Sequence, residues 1–486
     1  MKMIVDFLRR GHDAQWHEHA KGLWEEFLVQ RYGSAKVQRV GRREPLLKLD
    51  DAPYTALLHR DEPSSSAYGG MSLVLFPSAE HGSLLALGVG TRGISPDDAI
   101  LARPGHARRS RALASWANSM AKADLGDPPA WAKADPVRID LDLPATQKNR
   151  LTPWEAAVGR YGPQIYLAID PRALDDAMLT RCFVALVDLF MRERGLPPLK
   201  ASTADAQALE DGILGCVLAS PARPGIEQEL DRRRFVVLQG PPGVGKTRLA
   251  REILAQHYAG RGRTVQFHAS TSYEQFVGGL APVAKNGQFG FEPRPGVLMD
   301  AAQAAREVAP HPYLLHIDEI NRADLARVLG EALYLLEPER EGDAAREVAL
   351  PYDFCSPHGS TLTLPPNLHL LGTMNSADRS TAILDLAVRR RFSFLSLWPR
   401  ADVLDGSAPL ARQAFSRLWE VFVDQAPDSA LELMPGHAYF IGATDAEVRQ
   451  RLRHEVAPLL QSYLQHGLVA GFAEAIDDAV QWLLTR

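Results

Sequence analysis

Four short stretches of this chain carry residue types whose spacing suits phosphate chemistry. The first, Gly240-Pro241-Pro242-Gly243-Val244-Gly245-Lys246-Thr247, matches G-x-x-x-x-G-K-[ST] in full. Glycines here let the backbone turn so that several N–H groups face one oxyanion. A helix opening after them adds its positive N-terminal partial charge. Lys246 is expected to neutralise the β- and γ-phosphates of a nucleotide, and the Thr247 hydroxyl to reach Mg2+. The second stretch, Tyr313-Leu-Leu-His-Ile-Asp318-Glu319, is an apolar strand ending in two carboxylates. Asp318 is expected to hold the metal through water, and Glu319 to orient and deprotonate the attacking water. In the third, Asn375 follows the apolar run Leu368–Leu371, where an amide can position that water. Asp378, three residues on, suits the capping of a helix equally well. The fourth is Arg389-Arg390-Arg391. The helix dipole favours arginine in a last turn, and this accounts for one of the three. The sharper expectation is a finger aimed at the γ-phosphate of a neighbouring subunit; such a finger acts in trans and implies a ring.

The elements that must position these residues begin near residue 231. Short β-rich runs alternate with helical stretches: Phe235–Leu238, Thr264–His268, Tyr313–Ile317, Leu368–Gly372 and Phe392–Leu397. That alternation predicts a parallel sheet flanked by helices, an α/β P-loop fold, and after Pro399 the pattern is helical to the end. Residues 1–170 predict an α+β domain, with a helix over Trp16–Gln30 and strands over Thr55–His59, Met71–Pro77 and Ser83–Gly90. The expected division is 1–170 as an N-terminal α+β domain, 171–230 as a helical linker, 231–399 as the α/β core and 400–486 as a helical lid. Two segments read as hairpins: 278–295, through the turn signal Asn286-Gly287, and 338–366, with arms Glu347–Tyr352 and Thr361–Leu364.

The segments GPPGVGKT, VQFHASTSYEQFVGG, IDEINRADLARVLGEALYLLE, GTMNSADRSTAILDLAVRRRFSF and PGHAYF together resemble the McrB family of AAA+ proteins, over about residues 231–440. The resemblance implies an AAA+ fold with a helical lid, a hexameric ring, and hydrolysis of ATP or GTP. It also implies an McrC-like partner that carries the nuclease of a modification-dependent restriction system. By matching motifs, Lys246, Thr247, Asp318, Glu319, Asn375 and Arg389–Arg391 inherit the roles above, and Asn321 and Arg322 would lie near a subunit interface. Ser376 stands where the family often has Thr. Residues 1–230 match nothing quotable in the DNA-binding domain of that family, so specificity for methylated DNA does not transfer. An AAA+ remodelling chaperone of the MoxR or dynein-related kind is the alternative. A pure nucleotide switch needs no base at Glu319.

With 486 residues, 46% hydrophobic and 23% charged, the composition excludes a wholly disordered chain, a collagen-like fibre and a coiled-coil rod. Its 54 basic and 59 acidic residues give a formal charge of −5, so any DNA binding must use a local patch. The three cysteines, Cys182, Cys216 and Cys355, have neither disulfide-framework nor zinc spacing, and a reduced cytoplasmic chain is expected. The opening residues lack a signal-peptide apolar run, and no stretch approaches the roughly 20 apolar residues of a membrane span. None of the ten lysines has Asp or Glu two places before it, so the D/E-x-K nuclease triplet is missing and DNA cutting is expected from another subunit. Arg103, His106, Arg108, Arg109 and Arg111 are candidates to grip phosphates, with a solvated helix face as the default. Tyr68, Trp116 and Trp131 are candidates to line a flipped-base pocket, with core as the commoner role. His12, His17 and His19 are not expected to bind metal, since His17 and His19 do not share a helix face.

Overall fold

The computed structural model describes residues 2–37, 42–43, 52–59, 61–62, 69–91, 95, 97–121, 128–285, 288–337, 346–378 and 385–486. The chain divides into two units, Met1–Leu218 with Val421–Pro427, and Ala219–Glu420 with Asp428–Arg486. No helix among the described residues is long and apolar enough to cross a membrane.

In the first unit, strands β1 (Arg42–Arg43), β2 (Thr55–Leu57), β3 (Met71–Ser78), β4 (Gly82–Val89), β5 (Ala130–Ala132) and β6 (Ile165–Ile169) form one sheet in the order β1-β2-β3-β4-β6-β5. Every pairing is antiparallel. Strands β3 and β4 are buried along their whole length, and alternate residues feed opposite faces. Leu73, Leu75, Leu85 and Leu87 pack with helices Trp16–Tyr32 and Asp176–Arg192; Val74, Phe76, Leu84 and Ala86 pack with Trp154 and Val158. This corrects the expected linker. Asp176–Arg192 buries Leu179, Phe183, Leu186, Val187 and Phe190 in the first core, so residues 171–218 belong to that unit. Only the helix Arg223–Arg233 joins the second unit, through Ile226 and Leu230. Strands β5 and β6 have little sequence signal, because three-residue and five-residue runs among Pro and Gly carry little periodicity.

The second unit contains β7 (Phe235–Gly240), β8 (Gly262–Gln266), β9 (Gly278–Lys285), β10 (Gln288–Pro295), β11 (Tyr313–Asp318), β12 (Val348–Ala349), β13 (Thr361–Leu362), β14 (Leu368–Asn375) and β15 (Ser393–Ser396). Five of them make a parallel sheet in the order β15-β7-β14-β11-β8, as the alternation predicts. A parallel sheet must be covered on both faces, and the strands supply an apolar set to each. Phe235, Val237, Leu315, Ile317 and Leu370 face one layer, and Val236, Leu238, Leu314 and Leu371 the other. Both expected hairpins exist, β9–β10 fully paired and β12–β13 short; Asn286-Gly287 lies outside the described residues. The parallel register sets Asn375 of β14 opposite Gly240 of β7, and Gly372 opposite Ile317 of β11. The C-terminal ends of three strands therefore meet at one edge, where α/β sheets bind ligands.

Candidate functional site

The phosphate loop leaves β7 at Gly240 and enters the helix Lys246–Gln256. Gly243 holds φ 78°, which L side chains rarely adopt, and a Cβ there would lie 2.8 Å from the Tyr439 ring. Gly245 caps the helix in the left-handed region, which leaves the first helical N–H groups without intrahelical partners. Lys246 is buried, and its Nζ donates to the carbonyls of Gly240 at 2.8 Å and Pro241 at 2.7 Å. Burial lowers its pKa to about 8, against the opposing pull of Glu319 and Asp318. The ammonium is thus folded onto its own loop.

Asp318, at the end of β11, is the hub. Its Oδ1 accepts from Thr247 Oγ1 at 2.8 Å and from Thr373 Oγ1 at 2.5 Å. The same Thr373 oxygen accepts from the Glu319 N–H at 3.3 Å. One hydroxyl on β14 therefore fixes both the carboxylate and the backbone that carries Glu319. Glu319 has φ 55° and ψ 46°, an uncommon left-handed conformation for a non-glycine residue, found at functional turns. Its Oε2 is buried without a hydrogen-bond partner, and Arg322 Nε lies 3.7 Å from that oxygen. His316, two residues before Asp318, is buried; desolvation lowers its pKa to about 4, so it is neutral near pH 7.

Asn375 ends β14 beside the loop, and the Ser376 N–H donates to Gly240 O at 3.2 Å. The Asn375 Oδ1 accepts from the Ala377 N–H at 3.1 Å, an Asx turn, while its backbone carbonyl accepts from Asn321 Nδ2 at 3.2 Å. Asp378 pairs with Arg322 at 2.9 Å. Arg379 lies outside the described residues.

The three arginines separate. Arg391 is buried, donating to Ala387 O at 2.6 Å and to Glu337. Arg390 is exposed and donates to Glu337 Oε1 at 2.6 Å, and Arg389 lies over the Phe394 ring at 5.3 Å. Among the described residues, no hydrogen bond or ion pair joins these three to residues 240–247. Within one copy of the chain, Lys246, Thr247, Asp318, Glu319 and Asn375 come together and Arg389–Arg391 stay apart.

Two contributors have no role assigned from the sequence, although the second is the PGHAYF segment of the resemblance. Thr373 matters only through the β11–β14 register. The segment Pro435–Phe440 reaches the loop from about 190 residues away: the Gly436 N–H donates to Pro242 O at 2.9 Å and the Ala438 N–H to Gly243 O at 3.0 Å. For a divalent ion, the Thr247 hydroxyl and Asp318 carboxylate offer hard oxygen donors. No group of three or more His, Cys, Asp or Glu residues that could cage a metal occurs among the described residues. That donor set fits Mg2+ shared with nucleotide phosphates and water.

In the first unit the candidate basic patch turns inward. Arg108 and Arg109 are buried; Arg109 pairs with Glu210 at 3.1 Å, Arg103 with Glu193 at 2.6 Å, and His106 contacts Tyr166 Oη at 3.0 Å. Trp116 is core and Trp131 packs against the other face of the sheet, while Tyr68 lies outside the described residues.

Residues 235–392 match the family described as AAA domain (dynein-related subfamily). The chain is 34% identical over 256 residues to the type IV methyl-directed restriction enzyme EcoKMcrB subunit of Escherichia coli K12, covering 50% of this chain and 53% of that protein. It is 27% identical over 189 residues to the type II restriction enzyme BsuMI component YdiS of Bacillus subtilis 168, covering 32% and 55%. The chain thus spans about half the length of these curated relatives. A solved structure from Cytophaga hutchinsonii, described as a candidate ATPase, overlaps 54% of this chain and 81% of that one at 14% identity, with a TM-score of 0.24. The second unit carries an McrB-like AAA+ module.

Proposed function

We propose that the chain is the nucleotide-hydrolysing motor of an McrBC-like restriction or anti-phage complex, working as a ring, with a separate nuclease subunit. The observation that carries this reading is the hub at Asp318, where Thr247 of the phosphate loop and Thr373 of the neighbouring strand converge beside Glu319. Similarity to two restriction-enzyme components supports the biological setting.

On nucleotide binding, Lys246 exchanges the carbonyls of Gly240 and Pro241 for phosphate oxygens. Thr247 and Asp318 would hold Mg2+, which would supply charge neutralisation at the phosphates. Glu319 takes a proton from a water whose oxygen attacks the γ-phosphorus as the bond to the β–γ bridging oxygen breaks, and Asn375 holds that water. Arg389 or Arg390, exposed and away from the chain's own loop, serves the loop of the next subunit; Arg391 is structural. The N-x-x-D spacing of Asn375 and Asp378 is not counted as a guanine reader, because Asn375 sits at the γ-phosphate end of the site in this reading. ATP and GTP both remain candidate substrates. The first unit is the candidate DNA or ligand sensor, and the setting is cytoplasmic.

A remodelling chaperone is the second reading, favoured by the dynein-related subfamily match. Turnover of ATP and GTP measured side by side with Mg2+, together with identification of chains that co-purify from the native host, tests both. A nuclease-bearing McrC-like partner supports restriction, and a von Willebrand-type adaptor supports remodelling. Inactivity with both nucleotides in the presence of the candidate nuclease and DNA contradicts the motor.

A further inference from the structure

Position 316 of β11 stands where the sheet calls for an apolar side chain. Successive residues of a strand point to opposite faces, so His316 shares a face with Leu314 and Asp318. Leu314 on that face belongs to one apolar cluster with Ala250 and Ile253 of the helix Lys246–Gln256. The register neighbours of His316 are Thr264 on β8 and Leu371 on β14. His316 is fully buried there, at 0% exposure. Its Nδ1 lies 3.2 Å from the Thr264 hydroxyl oxygen. Its Nε2 is buried with no hydrogen-bond partner among the described residues.

Asp318 Oδ1 lies 4.0 Å from that nitrogen. The carboxylate selects the tautomer. A bare Nε2 would set a lone pair near a negative oxygen, whereas an Nε2–H sets a donor there and leaves Nδ1 to accept from the Thr264 hydroxyl. At 4.0 Å the pair is about 1 Å too far apart for a hydrogen bond. Asp318 Oδ1 already accepts from the hydroxyls of Thr247 and Thr373. A buried donor left unpaired is unfavourable unless something completes it. Here the acceptor is just out of reach, and one of its two present donors, Thr247, is the hydroxyl that the reading above gives to Mg2+.

We infer that His316 positions Asp318 in the nucleotide-loaded site, donating from Nε2 to the carboxylate oxygen that the Thr247 hydroxyl gives up. This rests on the nucleotide-binding reading above and extends it to a residue to which the phosphate-loop, strand-end and arginine motifs give no role. Thr373 holds the carboxylate throughout, and His316 replaces the donor that Thr247 withdraws. Asp318 so keeps two donors and its orientation toward the metal. His316 acts only through Asp318, as a positioning residue; partners of this kind are typically worth about 10- to 100-fold in metal affinity. The donor is separable from the volume by substitution. His316→Leu fills the position with carbon and removes the donor. His316→Gln keeps an N–H donor at the ε position.

The experiment titrates Mg2+ onto the full chain with the non-hydrolysed fluorescent probes mant-AMPPNP and mant-GMPPNP, and measures affinity for the same probes in EDTA. For the probe that the wild type binds, the half-saturating Mg2+ concentration of His316→Leu is expected to rise about 10- to 100-fold, while its affinity in EDTA stays within about threefold of the wild type. A merely structural role would weaken binding alike with and without the metal. His316→Gln is expected to keep the Mg2+ midpoint within about threefold. A wild-type midpoint in His316→Leu, an equal rise in both variants, or an equal loss in EDTA overturns the assignment. Should His316→Leu fail to fold, His316→Gln decides alone: a retained midpoint supports the donor, and a rise of about tenfold or more overturns it. A wild-type chain that binds neither probe, indistinguishable from Lys246→Ala, overturns the nucleotide reading itself along with this one.

Discussion

Each unit holds a cluster of arginines, and the two clusters have opposite fates. In the first unit, Arg103 and Arg109 find Glu193 and Glu210, and the helix Pro104–Ser119 buries Arg108 and Arg109. In the second, Glu337 engages Arg390 and Arg391, only Arg391 is buried, and Arg389 and Arg390 stay at the surface. A buried cation needs partners, and these come from distant sequence: carboxylates for Arg109 and Arg391, backbone carbonyls for Arg108, so burial with such partners separates the architectural arginines from those left at the surface. Arginine spacing alone does not distinguish the two.

The sharpest way to break this contrast is to remove the exposed pair. If Arg389 or Arg390 completes a neighbour's site, one of the two alanine variants loses about 10³- to 10⁵-fold in kcat with an unchanged melting temperature. Full turnover in both variants and in the double variant would end the finger assignment. The first unit answers in stability instead. Arg109→Met leaves Asp424 without its ion-pair partner, while Glu210 keeps Arg192, and is expected to cost about 3 kcal/mol in chemical denaturation. A cost below about 0.5 kcal/mol, that of an ordinary surface change, would return this run to the surface-patch class.

A third test sharpens the contrast through acid. His369, buried in the second unit against Tyr258, has its pKa lowered to about 4 by burial, below its unfolded value near 6.5. The unfolded chain then binds the extra proton, so stability falls as pH drops from about 6.5 to 4, by roughly 3 kcal/mol from this group. His369→Asn keeps an acceptor for Tyr258 but cannot titrate. Its denaturation midpoint is expected to lose that share of the acid slope, and an unchanged slope contradicts the assignment.

The legible part of the site lies where chemistry is contiguous. Gly240–Thr247, Asp318–Glu319 and Asn375 sit at the ends of strands whose apolar runs announce themselves, and all five strands of the parallel sheet were readable as short β-rich runs alternating with helices. The roles of Thr373 and of the segment Pro435–Phe440 were not, because each acts across a gap closed only by folding. Thr373 depends on the β11–β14 register, and the segment on Gly436 fitting against Gly243. Residues 171–218 read as a linker because their Pro and Ala connections mask a helix apolar on nearly every side. Helical periodicity distinguishes a one-faced helix from a loop more readily than a fully buried helix from a connecting one.

The central claim is that Glu319, beside the Asp318 hub, is the base that cleaves the nucleotide. The direct measurement is turnover and bound-nucleotide content of Glu319→Gln against the wild type, with ATP and GTP in separate reactions. The account predicts a fall of about 10²- to 10⁴-fold in kcat with intact triphosphate retained on the protein. Hydrolysis at the wild-type rate in that variant would contradict it.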